Sequence, residues 1–323
     1  MKPYLAVIGD AFQAAANSRI LWITLVLVTL FLAVLSPIAL DIVPGEAGSK
    51  YAVGGLQLRY AGKDFGPTID LPAHSIEELR SLALAWFMDH VIDFIVGFFG
   101  IFLAIVVSAG MIPETYRIGS VDLLLSKPLN RPALFLSKFI GGCAFVLMNI
   151  CYLIVGLFLI VGLRWGLWDA RILIAIPVFL FYFMILFSVT ALVGLLSRST
   201  ILSLFLTLLF WGSCILIASS KQAMEKLLPV GQVVDGSQVV VPEDGADKKP
   251  EGDAFWQSVY TFGILPLYTV LPKPLELDET VQYFLDRKGK MQERAVWSPV
   301  ISSAIFLLVV LGICCVISWR AEY

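Results

Sequence analysis

Few residues in this chain are of a type and spacing that could do chemistry, and most of them point away from catalysis. His90 follows Asp89 and precedes Asp93 by about one helical turn, with Met88 nearby; His74 is the only other histidine. An imidazole between carboxylates could touch a metal ion or a substrate at the mouth of a pathway. A metal site needs further strong ligands at fixed spacing, and none follows here, so a polar helix end meeting headgroups and water is the plainer account. The five cysteines (Cys143, Cys151, Cys214, Cys314, Cys315) all lie inside apolar runs. That placement argues against a disulfide framework or a metal-binding motif and for small buried apolar residues. No G-x-x-x-x-G-K-[ST] phosphate loop, HExxH, GxSxG or Rossmann glycine pattern occurs. The expectation is therefore no catalytic residue, no cofactor and no metal.

The remaining polar constellation runs from Glu114 to Lys138, ETYRIGSVDLLLSKPLNRPALFLSK, and its chemistry is that of contact. A helix over Glu114 to Ser126 would put Ile118, Val121 and Leu125 on one side, flanked by Leu124, and turn Glu114, Arg117 and Asp122 elsewhere. The Glu114–Arg117 pair adds only about 0.2–0.5 kcal/mol to such a helix. Pro128 ends it, because proline lacks an N–H and disfavours helical geometry at Lys127. Asn130 can cap a second helix, with Arg131 and Pro132 in its first turn, that runs on through Lys138. A loop made basic by membrane topology alone would need few residues. This stretch spends 25 residues on two ordered pieces and a bend.

The elements that must position this segment are membrane spans. The chain of 323 residues is 59% hydrophobic and 15% charged, with a mean hydropathy of +0.86. Those values lie outside the range of soluble globular domains. A bilayer core needs about 20 mostly apolar residues per helix. Six windows qualify: Ile20 to Leu40, Val91 to Ile112, Phe139 to Leu163, Ile172 to Leu196, Ile201 to Ser219 and Val300 to Trp319. The first is expected to stay as an anchor, because its apolar run is long and no small-x-small cleavage site follows it. The expected fold is an all-α integral membrane protein with six transmembrane helices.

Charge sets the orientation. Lys2, Arg19, Arg117, Lys127, Arg131, Lys138, Arg198 and Arg320 fall on one side, with Asp10, Glu114, Asp122 and Glu322 the only acids there. Arg164 and Arg171 sit in the short loop on the other side. The basic side is cytoplasmic by the positive-inside rule, so both termini are expected inside. The spans hold almost no ionisable residue away from their ends, whereas proton- or ion-coupled carriers retain such groups for function. A self-powered carrier is thereby disfavoured. The driving force for any transport should come from another subunit.

Residues 1–19 read as an amphipathic interfacial helix, with Leu5, Ile8 and Phe12 at helical spacing. Residues 20–323 form one permease-like domain with two larger extracytoplasmic loops, 41–90 and 220–297, and a cytoplasmic segment at 113–138. The first loop opens with Gly- and Pro-rich turns and closes in a helix whose Ser75 and Glu78 form a capping box. Ser197-Arg198-Ser199-Thr200 is a tight inside turn that makes the fourth and fifth helices an antiparallel hairpin. Trp165 and Trp168, beside Arg164 and Arg171, read as interfacial anchors. Gly97, Gly100, Ser108 and Gly110 offer close helix packing on the second span. Phe255 to Leu271 is apolar but broken by Gly263, Pro266 and Pro272, and reads as a membrane-dipping or interfacial element instead of a seventh span.

With these residues in view, the Glu114–Lys138 segment resembles the signature of the type 2 ATP-binding-cassette (ABC) exporter permeases. Their loose pattern is E-x-x-x-G-T, a hydrophobic residue, x-x-L-L-S-x-P, a hydrophobic residue, then S-R and G-K. This chain carries Glu114, Gly119, Ser120, Val121, Leu124, Leu125, Ser126, Pro128, Leu129, Asn130, Arg131, Ser137 and Lys138. It departs from the pattern at Ser120, Asn130 and Ser137. Within the family the likeness is to permeases grouped with multi-copper-enzyme maturation, a label that carries no copper chemistry by itself. The resemblance implies a non-enzymatic transmembrane subunit that pairs with a second permease copy, in a homodimer or heterodimer, and with a cytoplasmic ABC ATPase. It also implies that Glu114 to Ser126 is the coupling helix. Glu114, Arg117, Asp122, Lys127 and Arg131 would make or orient polar contacts, and Ile118, Val121 and Leu125 would pack in the ATPase groove. The other partner is the lipid bilayer of the cell membrane, and nucleic acid is not expected. The competing expectation is a non-transporting scaffold or assembly factor acting through its extracytoplasmic loops, above all 220–297.

Overall fold

A computed structural model describes residues 19–43, 55–64, 69–70, 97–98, 100–115, 131–166, 168–227, 259–273 and 293–320. Helix α1 (Arg19–Leu35) opens the described chain. Strands β1 (Ile38–Val43), β2 (Gly55–Tyr60), β3 (Lys63–Asp64) and β4 (Ile69–Asp70) follow. Then come α2 (Ile101–Ser108), α3 (Met111–Thr115), α4 (Arg131–Trp165), a 3-10 turn at Ala170–Ile174, α5 (Ala175–Ser197) and α6 (Thr200–Leu227). A π turn at Val259–Ile264 leads into α7 (Leu265–Val270), and α8 (Glu293–Arg320) closes the series.

Among the described residues four helical stretches are long and apolar enough to cross a membrane: Pro132–Trp165, Ala170–Ser197, Thr200–Ala223 and Pro299–Arg320. They correspond to the last four of the six windows. The first window is shorter as a helix than as an apolar run. Helix α1 stops at Leu35 because Pro37 cannot continue it and disfavours helical geometry at Ser36. Its 17 residues rise about 25 Å at 1.5 Å per residue. The second window is described only in part, and its helix breaks between Ser108 and Met111. Among the described residues the π turn and α7 make a helical stretch from Val259 to Val270, and residues 255–258 of this element lie outside them.

The connection between α1 and α2 holds a small antiparallel sheet where the sequence suggests only turns. β1 pairs with β2 from Ile38 opposite Tyr60 to Val43 opposite Gly55. β3 and β4 both pair with β2, through Arg59 opposite Asp64 and Leu56 opposite Ile69. The β2–β3 hairpin turns at Ala61 and Gly62, whose φ values of 50° and 83° are those a two-residue hairpin turn demands. Alternating polar and apolar residues in GLQLRY are a strand signal that the surrounding glycines obscure.

α5 is the centre of the bundle. It packs against α2, α3, α4, α6 and α8. Phe179, Phe183, Phe187, Ile185 and Ala191 are buried on its several faces. A helix that is apolar all round and enclosed by others is the core solution for such a sequence. The outer helices are inverted relative to a soluble bundle. Trp22, Ile23, Val26 and Leu30 of α1 are each more than 60% exposed, and Ile201 of α6 and Leu308 of α8 also face outward. Apolar surface on that scale calls for lipid or a partner protein against it.

Polar side chains inside the bundle are satisfied locally. Ser108, Ser188, Thr190, Ser203 and Thr207 donate to carbonyls three or four residues back in their own helices. Among the described residues, contacts that cross between helices include the bond from Trp211 to Tyr182 at 2.5 Å, the approach of the Thr207 and Thr190 hydroxyls at 3.0 Å, and a bond shared by Thr29 and Tyr152 at 2.9 Å. Such bonds add about 0.6 kcal/mol each in a bilayer but fix register.

Candidate functional site

The sequence-predicted contact segment is described only at its two shoulders. Glu114 falls within α3 and Arg131 opens α4. Arg117, Ile118, Val121, Asp122, Leu125 and Lys127 lie outside the described residues, as do all but Arg19 of the expected interfacial helix at 1–19, His74, Asp89, His90, Asp93 and most of residues 41–90 and 220–297. What the structure defines is how the two shoulders are seated.

The first shoulder sits on α5. Pro113 packs against Gly194 so closely that a Cβ on the glycine would stand 2.8 Å from the proline Cγ. Two residues earlier, Met111 places its sulfur 3.5 Å from the position a Cβ would take on Gly142 of α4. The ring of Phe187 from α5 fills the same niche. Glycine is required at both places because neither a rigid pyrrolidine nor a packed ring can retreat.

The second shoulder is held by a row of aromatics. Arg131 and Pro132 start α4, and Phe135, on its second turn, is fully buried. Phe135 lies 6.3 Å from Phe139, Phe139 stacks on Phe187 at 5.1 Å, and Phe187 stacks on Phe183 at 5.1 Å. The helix over Arg131 to Lys138 therefore runs without interruption into the long apolar span. Both ends of the segment meet one helix, α5, around one residue, Phe187.

The same end of α5 carries the tight turn. α5 ends at Ser197 and α6 begins at Thr200. Arg198 closes α5 in the left-handed region at φ 53°, with its N–H on the carbonyl of Gly194. Ser199 accepts from the N–H of Leu202 and caps α6. Gly194 thus serves two contacts, the Pro113 ring on its outer side and the helix terminus through its carbonyl.

The opposite end is tied by different groups. Arg164 donates to the carbonyl of Ser36 at 2.9 Å and Trp165 to that of Ile38 at 3.3 Å, so the end of α4 holds the start of β1. Trp168 packs on Gly162 and edge-on to Phe158, an anchoring role built on protein contacts as well as position. Asp169 pairs with Arg171 through both carboxylate oxygens. Lys221 and Lys273 both lie over the ring of Tyr268, at 4.0 and 4.5 Å. Burial, helped by the charge of Lys221, holds Lys273 below its ordinary value.

Among the described residues no three histidine, cysteine or acidic side chains gather into a metal-binding group. All five cysteines are free thiols, with Cys214 and Cys314 buried among apolar residues. Two features escaped the sequence reading. Gly194 is one glycine among 25, and nothing local distinguishes it. Asn149 was legible: it is the lone amide in the apolar run of α4, and its Oδ1 is buried without a hydrogen-bond partner.

The arrangement is that of a bundle of long apolar helices, with nothing assembled for bond-making chemistry among the described residues. No curated protein and no solved structure matches the chain. Residues 5–321, nearly all of its length, match the family described as ABC-2 family transporter protein, and the chain belongs to that family.

Proposed function

We propose that this chain is the permease subunit of an ABC exporter, moving a substrate across the cytoplasmic membrane with ATP hydrolysed on a separate subunit. Six spans with both termini inside, an interfacial helix at 1–19 and a cytoplasmic segment at 113–138 make up the working unit. A second permease copy completes the pathway, in a homodimer or a heterodimer. The finer likeness to permeases grouped with multi-copper-enzyme maturation rests on the signature segment and implies no copper chemistry.

The observation that carries this reading is the convergence of both shoulders on α5. A segment whose ends were loosely tethered would absorb a push. Here a displacement of Glu114 to Ser126 would reach α5 through Pro113 on Gly194 and through Phe139 on Phe187. Close-packed contacts of this kind transmit strain because interiors deform little. In this mechanism the ATPase seats Ile118, Val121 and Leu125 in a groove. Glu114, Arg117, Asp122, Lys127 and Arg131 supply the polar contacts or orient the two helices. ATP-driven closure then shifts α4 and α5 together.

The test is to purify the chain with any ABC ATPase encoded beside it and compare ATP turnover of the parent with that of Glu114→Ala plus Arg117→Ala. The reading expects weaker association and reduced permease-dependent turnover in the variant. Unchanged binding and turnover would remove the coupling role.

A further inference from the structure

Two lysines from different elements meet on one aromatic ring where α6, α7 and α8 come together. Lys221, in the last two turns of α6, stands 4.0 Å from the centre of the Tyr268 ring. Lys273, just beyond α7, stands 4.5 Å from the same point. The two ammonium groups can be no farther apart than those two distances together. Both lysines are half-buried, Tyr268 is buried, and α7 packs against α6 and α8. The N–H of Lys273 donates to Ser303 Oγ of α8 at 3.3 Å, which fixes the backbone that carries the second lysine. Three elements therefore build this pair into the fold. Beside it the surface is apolar, with Leu216 of α6, Leu267 of α7, and Ile301 and Ile305 of α8 all exposed. Lys221 also lies near the end of the apolar stretch Thr200–Ala223, at the depth where head groups begin.

We propose that Lys221 and Lys273, gathered on the Tyr268 ring, bind the phosphate of an anionic phospholipid whose acyl chains lie along the exposed apolar side chains of α6 and α8. Like charges held this close repel each other, and an anion between or beside them relieves the cost. The surroundings of Lys273 as a whole disfavour its charge, through burial first and the charge of Lys221 second, and hold it below its ordinary value. Basic pockets between transmembrane helices take lipid head groups by the same attraction. The ring positions both ammonium groups, and lysine serves as a mobile point charge that needs no fixed fork geometry. Free phosphate would meet the same two charges and leave the apolar surface unused. A zwitterionic head group would bring a cation of its own to the pair. The site stands whether or not an ATPase drives the protein.

Amine reactivity of the full chain, delipidated in a non-ionic maltoside detergent, tests the proposal. A short acetylation pulse is read by peptide mass spectrometry, with Lys63, exposed in β3, as the internal reference. Phosphatidylglycerol, phosphatidylcholine and inorganic phosphate are added in separate arms. Phosphatidylglycerol is expected to slow acetylation of Lys221 and Lys273 about fivefold relative to Lys63, and the other two additions less than about twofold. In Lys221→Gln the protection of Lys273 by phosphatidylglycerol should fall to that smaller level. Unchanged reactivity of both lysines with phosphatidylglycerol would overturn the proposal. Equal protection by inorganic phosphate would make the pair a free-anion site, and equal protection by phosphatidylcholine would mean general coating by lipid; either result sinks the anionic-lipid assignment. So would full protection of Lys273 in Lys221→Gln. The three arms on the parent need no variant, so a misfolded substitution leaves the test intact.

Discussion

Pro113 lies directly on Gly194: a Cβ added to the glycine would stand 2.8 Å from the proline Cγ and 3.1 Å from its Cδ. The contact joins α3 to the last turn of the central helix. Its tolerance for change is therefore small. Gly194→Val should destabilise the protein by about 1–3 kcal/mol, the usual cost of overpacking a filled site. Pro113→Ala should recover part of that loss when combined with it, because the two residues touch. Thermal unfolding in detergent measures the first effect and the double variant measures the second. If the coupling mechanism holds, ATP turnover with the partner subunit falls in Gly194→Val at temperatures where the protein remains folded.

The hydrogen bond from Trp211 to Tyr182, at 2.5 Å, joins α5 to α6. Tyr182→Phe takes the acceptor from a buried indole N–H, and Trp211→Phe takes the donor from a buried hydroxyl. A double-variant cycle should yield a coupling energy of about 0.6–1.7 kcal/mol, the range seen for such bonds within membranes. A value near zero would mean that α5 and α6 are registered by Thr190, Thr207 and apolar packing instead.

Arg198 holds a left-handed conformation, φ 53°, that suits glycine at the end of a helix. Arg198→Gly should raise stability by about 0.5–1 kcal/mol, the strain relieved less the added entropy of the unfolded chain. Arg198→Val should lower it, since a β-branched residue is worse in that region than arginine. Unfolding midpoints of the two variants, read side by side, check the sign of each.

Lys273 is held below its ordinary value of 10.5, first by burial and then by the charge of Lys221. Between that lowered value and 10.5 the unfolded chain carries more protons than the folded one. Stability should accordingly rise with pH through this window, and the penalty is present in full below the folded value. Lys273→Met removes the titrating group, so its advantage over the parent should shrink as pH climbs toward about 10. Unfolding midpoints across the alkaline range, compared between the two proteins, give the slope difference directly. A parallel pair of curves would show that Lys273 does not titrate in this window.

Much of this protein is legible in its sequence because lipid leaves backbone groups few options. A long apolar run must become a helix when no water is present to satisfy its N–H and C=O groups. Hence the last four windows reappear as helices, and Pro132 sits in the first turn of α4. The turn between α5 and α6 was equally visible, because four small or polar residues interrupt two apolar runs.

Other features depended on the neighbours. β1 to β3 form a sheet because Leu56, Leu58 and Tyr60 alternate opposite a strand that Arg164 and Trp165 tether, and that tether is remote in sequence. The central position of α5 could not be read from its composition, since all the spans are apolar and only packing decides which is enclosed. Gly194 and Asn149 make the same point at single residues. Sequence shows a small residue and a lone amide; the Pro113 ring on one, and the buried, unpartnered oxygen of the other, exist only once helices far apart in the chain are brought to van der Waals contact. Sequence determined which segments are apolar enough to cross a membrane. Tertiary structure alone decided which helix is enclosed and which residues brace the two ends of the 114–138 segment, because those contacts join surfaces far apart in the chain.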